Sequence, residues 1–269
     1  MSLVFPGETV IARASDNILI GGTVTCNTTP SDTYTLADVI ARDPGVRVLF
    51  GVKSVRITVT LPSPARGDIL AWPWTNLDVE TGSPSTGLTI ENDSGLSESI
   101  TPPTRQANGI PNTLIADLTA LEPNAATRTS NVWRFRVQDN SVNLLLGGAL
   151  SLFGPKRVLD PDLQWGFSVR KRHSASRVFN EYNSLYASNF QTAIRSVRWR
   201  ARTQDLDGFE AWFDEMAGGT APGLLWPQIT GLDAYVGIFE DDFEAVNVEG
   251  TDYFDVSGVF MELSKGKPV

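Results

Sequence analysis

The sequence has almost no histidine or cysteine. Its 269 residues include one cysteine, Cys26, and one histidine, His173. A single cysteine excludes an internal disulfide and any zinc site built from several cysteines. His173 follows a basic run at residues 170–172 that offers no carboxylate to orient it for catalysis. No phosphate-binding loop, dinucleotide fingerprint or nucleophile elbow is present either. We therefore expect no enzymatic activity, no metal site and no cofactor.

The sequence also lacks a surplus of basic residues and a long apolar run. It has 22 Lys and Arg against 31 Asp and Glu, a net charge of -9. This balance disfavours general nucleic-acid binding, because neutralising phosphates requires excess cations. The apolar stretch at residues 144–153 is too short and too interrupted by glycine to span a bilayer. Residues 1–10 do not have the pattern of a secretory signal. We expect a soluble protein that binds no nucleic acid and inserts into no membrane.

Alternating patterns typical of β-strands are present through the first half. Residues 55–61 and 133–137 alternate apolar with polar side chains, as half-buried strands do. Shorter β-branched runs occur at residues 23–25 and 88–90, and clusters rich in proline, glycine and serine separate the runs. Strands at this spacing predict a β-sandwich of the jelly-roll type over residues 1–154.

The second half predicts a smaller α+β domain over residues 155–269. Apolar residues at helical spacing form one stripe: Leu206, Phe209, Trp212, Phe213 and Met216. Thr203 or Asp205 can cap the start of this helix, and the glycines at 218–219 end it. A strand is expected before the helix at residues 197–202, and two strands after it at 235–239 and 253–263, with a loop opening at 240. The whole fold is predicted to be mainly β with one short helix.

The negative charge is unevenly distributed along the second half. Residues 165–202 carry eight basic residues and one acid, whereas residues 203–262 carry 14 acids and no Lys or Arg. Two interpretations remain open: the segments neutralise each other within one molecule, or a basic face on one subunit meets an acidic face on the next, as in a head-to-tail ring. The candidate subunit-contact residues are Arg195, Arg198, Arg200, Arg202, Glu240, Asp241 and Asp242. The arginines also suit nucleic acid by charge, but no aromatic stacking platform accompanies them.

Two tryptophans and the many carboxylates raise further alternatives. Trp72 and Trp74 point to the same side if the chain is extended there. They are candidate carbohydrate contacts that would stack on a sugar, or else they pack in the sandwich core or at a subunit contact. A glycosidase needs only two carboxylates about 5–10 Å apart, so a depolymerase is a third hypothesis. The acids at 241, 242 and 244 do not match a calcium-loop spacing and are better interpreted as a solvated turn.

Several segments of the first half follow one another in a recognisable order. Residues 20–25 read Ile-Gly-Gly-Thr-Val-Thr, and residues 34–39 read Tyr-Thr-Leu-Ala-Asp-Val. The strand at 55–61, the Asp-Ile-Leu at 68–70 that leads to Asn-Leu at 76–77, and the strand at 133–137 follow. Together they resemble the galactose-binding-like (discoidin-type) jelly roll of some tailed-phage tail proteins.

The second half resembles the minor and distal tail proteins of long-tailed phages and gene transfer agents. The shared order is an arginine-rich strand at 195–202, the helix with its aromatic residues, the Gly-Gly pair, Leu-Leu-Trp-Pro at 224–227 and a closing strand pair. The resemblance implies a structural protein with a ring-forming, tail-tube-like second domain, and no catalytic residue is transferred from it.

These observations lead to one functional hypothesis and one alternative. We expect a structural component of a phage tail tip or baseplate, forming an oligomeric ring that links the tail tube to the adsorption apparatus. Its partners would be copies of itself and other phage tail proteins, and it would be assembled in the bacterial host cytoplasm and reside in the virion. The alternative is a carbohydrate-binding module that adsorbs to a host surface glycan through the N-terminal sandwich.

Overall fold

The fold is mainly β, as predicted. A computed structural model describes residues 10–30, 35–40, 47–73, 87–100, 113–138, 145–148, 150–158, 166–172, 175–179, 185–190, 194–216, 223–226 and 234–262. Most of these residues belong to antiparallel sheets, and helices are few and short. Within these ranges no helix is long and apolar enough to cross a membrane.

The elements are numbered in chain order. The strands of the first half are β1 (Val10–Ala12), β2 (Thr23–Cys26), β3 (Arg47–Leu49), β4 (Ser54–Arg66), β5 (Ile69–Trp72), β6 (Gly87–Asn92), β7 (Ser97–Ile100), β8 (Leu114–Asp117), β9 (Thr129–Gln138), β10 (Leu145–Gly147) and β11 (Ser151–Phe153). Those of the second half are β12 (Arg157–Val158), β13 (Gly166–Arg172), β14 (Ala175–Phe179), β15 (Leu185–Phe190), β16 (Ile194–Thr203), β17 (Gly223–Trp226), β18 (Tyr235–Asn247) and β19 (Phe254–Glu262). The α-helices are α1 (Leu118–Leu121) and α2 (Leu206–Met216).

A five-stranded antiparallel sheet, in the order β2-β4-β9-β6-β7, forms one wall of the first half. Strands β4 and β9, which are neighbours in this sheet, are those predicted from alternation. Val59 lies opposite Trp133 and Ile57 opposite Phe135, and all four side chains are fully buried. Arg136, on the other face of β9, is exposed. Large apolar residues directly opposite each other are a main source of sheet stability.

The three-stranded sheet β11-β5-β8 lies between two cores. Every residue of β5 is buried, so this strand has no solvent-facing side. Leu70 and Trp72 belong to the core shared with the five-stranded sheet. Ile69 and Ala71 belong to a second core shared with β1, β17 and β18. Apolar side chains on both faces of β5 therefore join the two halves of the chain.

A seven-stranded sheet, in the order β12-β1-β17-β18-β19-β16-β13, dominates the second half. Val10–Ala12 pairs with both β12 and β17 in this sheet. The N-terminal strand thus pairs with the second half, although the sequence interpretation grouped it with residues 1–154. Where the two domains divide stays a prediction. Two further pairs, β3 with β10 and β14 with β15, complete the described sheets.

The predicted helix is α2, and both proposed capping residues act at its start. The Asp205 carboxylate accepts a hydrogen bond from the Gly208 amide at 3.0 Å. The Thr203 hydroxyl accepts one from the Asp205 amide at 2.9 Å. These bonds satisfy amides that have no partner within the helix. α2 packs against β18. The glycines at 218–219 lie outside the described residues.

Candidate functional site

The predicted basic stripe lies on one face of strand β16. Side chains alternate along a strand, so Arg198, Arg200 and Arg202 share a face. Arg198 and Arg200 are exposed and Arg202 is half-buried, whereas Val197 on the other side is fully buried. We call the side of the seven-stranded sheet that bears these three residues the arginine face. Arg195 also belongs to β16, but its side chain is not among those described.

The predicted acidic segment at 240–242 is part of strand β18 and does not open a loop. The sequence interpretation ended the strand at 239, and that boundary was wrong. The register with β19 shifts between Phe239 and Phe243, so a bulge absorbs the extra residues and pairing resumes beyond it. The side chains of Glu240, Asp241 and Asp242 are not among those described.

The sheet register brings this bulge near the basic stripe. In β19, Phe260 pairs with Phe239 and Gly258 pairs with Phe243, so Val259 lies level with the bulge. On its other side Val259 pairs with Arg198. Two strand spacings, about 10 Å, therefore separate the backbone of the bulge from that of Arg198. The acidic and basic segments are neighbours within one sheet.

One arginine of the stripe is neutralised within the molecule. Arg202 lies directly opposite Asp255 and donates two hydrogen bonds to its carboxylate, from Nε at 2.7 Å and from Nη2 at 3.0 Å. These hydrogen bonds lower the pKa of Asp255 and raise that of Arg202. The pair is open to solvent and contributes little to folding. Of the two interpretations of the charge pattern, neutralisation within one molecule is therefore the one that the structure shows for Arg202.

Arg198 and Arg200 are not neutralised by the described side chains in the way that Arg202 is. Among side chains that the structure describes, none forms a hydrogen bond or ion pair with Arg198. Arg200 acts on Asp255 only through its charge, lowering the pKa of that carboxyl after the larger effect of Arg202. Both guanidinium groups are presented to solvent on a rigid strand, which is paired on both sides by β13 and β19.

A groove runs along the arginine face beside these residues. Its volume is about 350 Å³, and it is lined by Arg200, Arg202, Glu244, Val246, Asp255, Val256 and Ser257. Val246 is 53% exposed, the largest fraction among the exposed large apolar side chains described. The Ser257 hydroxyl lies 3.4 Å from the Glu244 carboxylate. The groove therefore combines cations, acids and an exposed apolar side chain.

One of the two candidate carbohydrate contacts, Trp72, is not on the surface. Trp72 is 0% exposed and belongs to the core between the five-stranded and three-stranded sheets. A sugar ring needs an exposed aromatic face, and Trp72 has none, because both faces of β5 are covered. The core alternative is therefore correct for Trp72. Trp74 lies outside the described residues.

A buried polar cluster centred on Asp68 was missed by the sequence analysis. The Asp68 carboxylate is 0% exposed, yet it accepts hydrogen bonds from Arg66 Nε at 2.9 Å and from the Lys156 amide at 2.9 Å, and it contacts the buried guanidinium of Arg128. The one available signal was a carboxylate at the head of the apolar run 69–72. Two of its partners, Arg128 and Lys156, come from distant parts of the chain, which the sequence does not pair.

A second ion pair adjoins this cluster. Lys156 Nζ donates to the Asp117 carboxylate at 2.7 Å. Burial opposes ionisation of Asp117, but the hydrogen bonds from Lys156 and Thr119 outweigh it and hold the pKa of the carboxyl below its ordinary value. The contacts tie β5, β8 and the segment after β11 together, so we assign the cluster a structural role.

Comparison with known proteins identifies no family. The sequence matches no protein-family model, and no curated protein is significantly similar to it. Part of the chain is similar to the crystal structure of a proposed alpha-L-fucosidase from Bacteroides thetaiotaomicron, with 19% identity and a TM-score of 0.36. The similar region covers 53% of this chain and 29% of that one. A likeness at this TM-score assigns neither a fold nor an activity.

Proposed function

We propose that this chain is a structural subunit of a phage tail tip or baseplate. Copies of it form an oligomeric ring that links the tail tube to the adsorption apparatus. The observation that carries the proposal is the arginine face, where Arg198 and Arg200 project from a strand that is paired on both sides, beside a groove with an exposed valine. The resemblance of residues 195–263 to minor and distal tail proteins supports the same assignment.

The arginine face has the physical character of a protein contact. Charges on complementary surfaces set the orientation of two partners and exclude wrong ones. Charges held on a sheet keep their spacing, so they can meet a partner at a fixed position with little loss of backbone entropy. Val246 adds apolar area next to them, which protein interfaces combine with charged rims.

The location of the protein in purified virions tests this function. Virions of the phage that encodes the chain would be labelled with an antibody against the purified protein and viewed by electron microscopy. We expect label at one end of the tail, where tube and adsorption apparatus meet. Label along the whole tail, label on the head, or absence of the protein from the particles would contradict the proposal.

A further inference from the structure

Helix α2 exposes a row of acids on one side. Asp207, Glu210 and Asp214 are all exposed, and their i, i+3 and i+7 spacing places them on one stripe of the helix surface. Leu206 and Phe213 are half-buried. No described Lys or Arg side chain pairs with these three acids, and residues 203–262 contain neither residue type. We call the three residues the acidic stripe.

The acidic stripe and the arginine face lie on opposite sides of the seven-stranded sheet. Val197, Val256 and Phe260 alternate with the residues of the arginine face and are buried on the other side of the sheet. Thr203 is buried on that same side, and α2 begins three residues later. In β18, Gly237 pairs with Glu262, so Tyr235 faces the same buried side as Phe260 and is 2% exposed. The other face of β18 at Val236 is occupied by the second core, shared with β1, β5 and β17. The helix that packs against β18 therefore covers the side that bears Tyr235 and Phe260, opposite the arginine face.

This arrangement prevents the two surfaces from pairing within one molecule. A helix is about 10 Å across with its side chains, so the exposed acidic stripe is separated from the sheet by about the thickness of α2. The side chains of Arg198 and Arg200 point away from the side of the sheet that α2 covers. The acidic stripe of one molecule can therefore contact only the arginine face of another molecule.

The two surfaces also match in spacing. Arg198 and Arg200 are two residues apart on a strand, about 6.6 Å. Neighbouring side chains on a helix stripe are about 5–6 Å apart. An acidic stripe laid along the strand would thus bring carboxylates to both guanidinium groups, and charge-assisted hydrogen bonds between them are the stronger class.

We propose that the partner on the arginine face is a second copy of this chain, which contributes its acidic stripe. This inference rests on the proposed ring and names the surfaces that close it. Because the two surfaces differ and lie on opposite sides of the sheet, the contact is head to tail. Such a contact leaves one free surface of each kind on every pair, so it repeats until a ring closes.

Complementary charge reversals test the contact. One variant carries Arg198→Glu and Arg200→Glu; the other carries Asp207→Lys, Glu210→Lys and Asp214→Lys. Arg56→Glu with Arg136→Glu is the matched control, because these arginines are also exposed and lie opposite each other on strands of the five-stranded sheet. The mass of each full-length protein would be followed by sedimentation velocity over a range of concentrations, with circular dichroism to verify folding.

We expect the wild type and the control to associate. Each reversed variant alone should associate at least about tenfold more weakly. The coupling energy of a close charge pair at an interface can exceed about 1.4 kcal/mol, and that energy corresponds to a tenfold change in Kd. Mixing the two reversed variants should restore association, since each then meets an oppositely charged partner. If a reversed variant does not fold, Arg198→Gln with Arg200→Gln replaces it on the arginine side and should also weaken association.

The outcomes separate this inference from the proposed function. Reversed variants that associate as strongly as the wild type would overturn the contact and leave the ring standing. A mixture that stays monomeric, when the wild type associates, would also overturn it. A wild type that is monomeric at every concentration would contradict the ring itself.

Discussion

The buried carboxylate of Asp68 should be one of the most sensitive positions in the fold. Asp68→Asn preserves the shape of the side chain but removes its charge. Arg128, which is 3% exposed, would then be buried without a counter-charge. Burial lowers the pKa of Arg128, and the charge of Arg66 lowers it further, so the charged guanidinium is disfavoured at this site and depends on its contact with Asp68. Removing one partner of a buried ion pair costs about 3–5 kcal/mol.

This cost is large compared with the stability of a typical domain, about 5–15 kcal/mol. For a chain of this size we expect the melting temperature to fall by roughly 6–20 °C, at about 2–4 °C per kcal/mol. Urea unfolding and calorimetry would measure the two quantities. The matched control is Asp93→Asn, because Asp93 pairs with Arg134 at 2.6 Å but is 52% exposed, and it should cost less than about 1 kcal/mol. Equal losses for the two variants would refute the reasoning.

Three further predictions follow from single contacts. Trp72→Ala should lower the free energy of unfolding in urea by about 3–5 kcal/mol, since it empties a core site; a loss under about 1 kcal/mol would show that Trp72 is not packed there. Arg202 holds the pKa of Asp255 below its ordinary value of 3.8, so the pair should persist as the pH falls to about 4 and be lost only below it. Carboxyl chemical shifts would follow this titration, and a midpoint above the ordinary value would contradict the pairing. Gly237→Ala should destabilise the protein by about 1–3 kcal/mol in thermal unfolding, because the new Cβ would lie 2.0 Å from a carbonyl oxygen of β19, whereas Gly87→Ala, with open space around it, should change little; equal effects would show that the close approach is absent.

Local sequence patterns were sufficient to predict the elements that have one solvent-exposed face and one buried face. Strands β4 and β9 alternate between core and solvent, so their sequence carries the period of a strand. Helix α2 carries an apolar stripe on one side and acids on the other, and its capping residues precede it. In each case the signal lies within about ten consecutive residues.

Features that depend on distant pairing could not be predicted in the same way. The four residues of β5 are buried on both faces, which the sequence shows only as a short apolar run. The pairing of β1 with β17 joins residues more than two hundred positions apart, and no local pattern specifies it. The bulge in β18 keeps an acidic run inside a strand, against the local preference of such residues for a loop.

The sequence predicted the part of the candidate site that depends on local alternation, and it did not predict the part that depends on pairing between distant strands. Alternation placed Arg198, Arg200 and Arg202 on one face, and the structure has them there. The pairing of Arg202 with Asp255 depends on register between two strands separated by the helix, so the sequence left open which arginines are neutralised internally. The contact proposed for the helix acids depends on the side of the sheet on which α2 packs, and no local pattern specifies that side.

Native mass spectrometry of the full-length protein tests the ring most directly. At low ionic strength we expect one dominant species above the monomer, at a fixed multiple of 29.3 kDa, because a head-to-tail contact that closes gives a defined number of copies. That species should dissociate in high salt, since screening shortens the reach of charges from about 8 Å at 0.15 M to about 3 Å at 1 M. A monomer at all concentrations, or a ladder of sizes without a preferred number, would contradict the account.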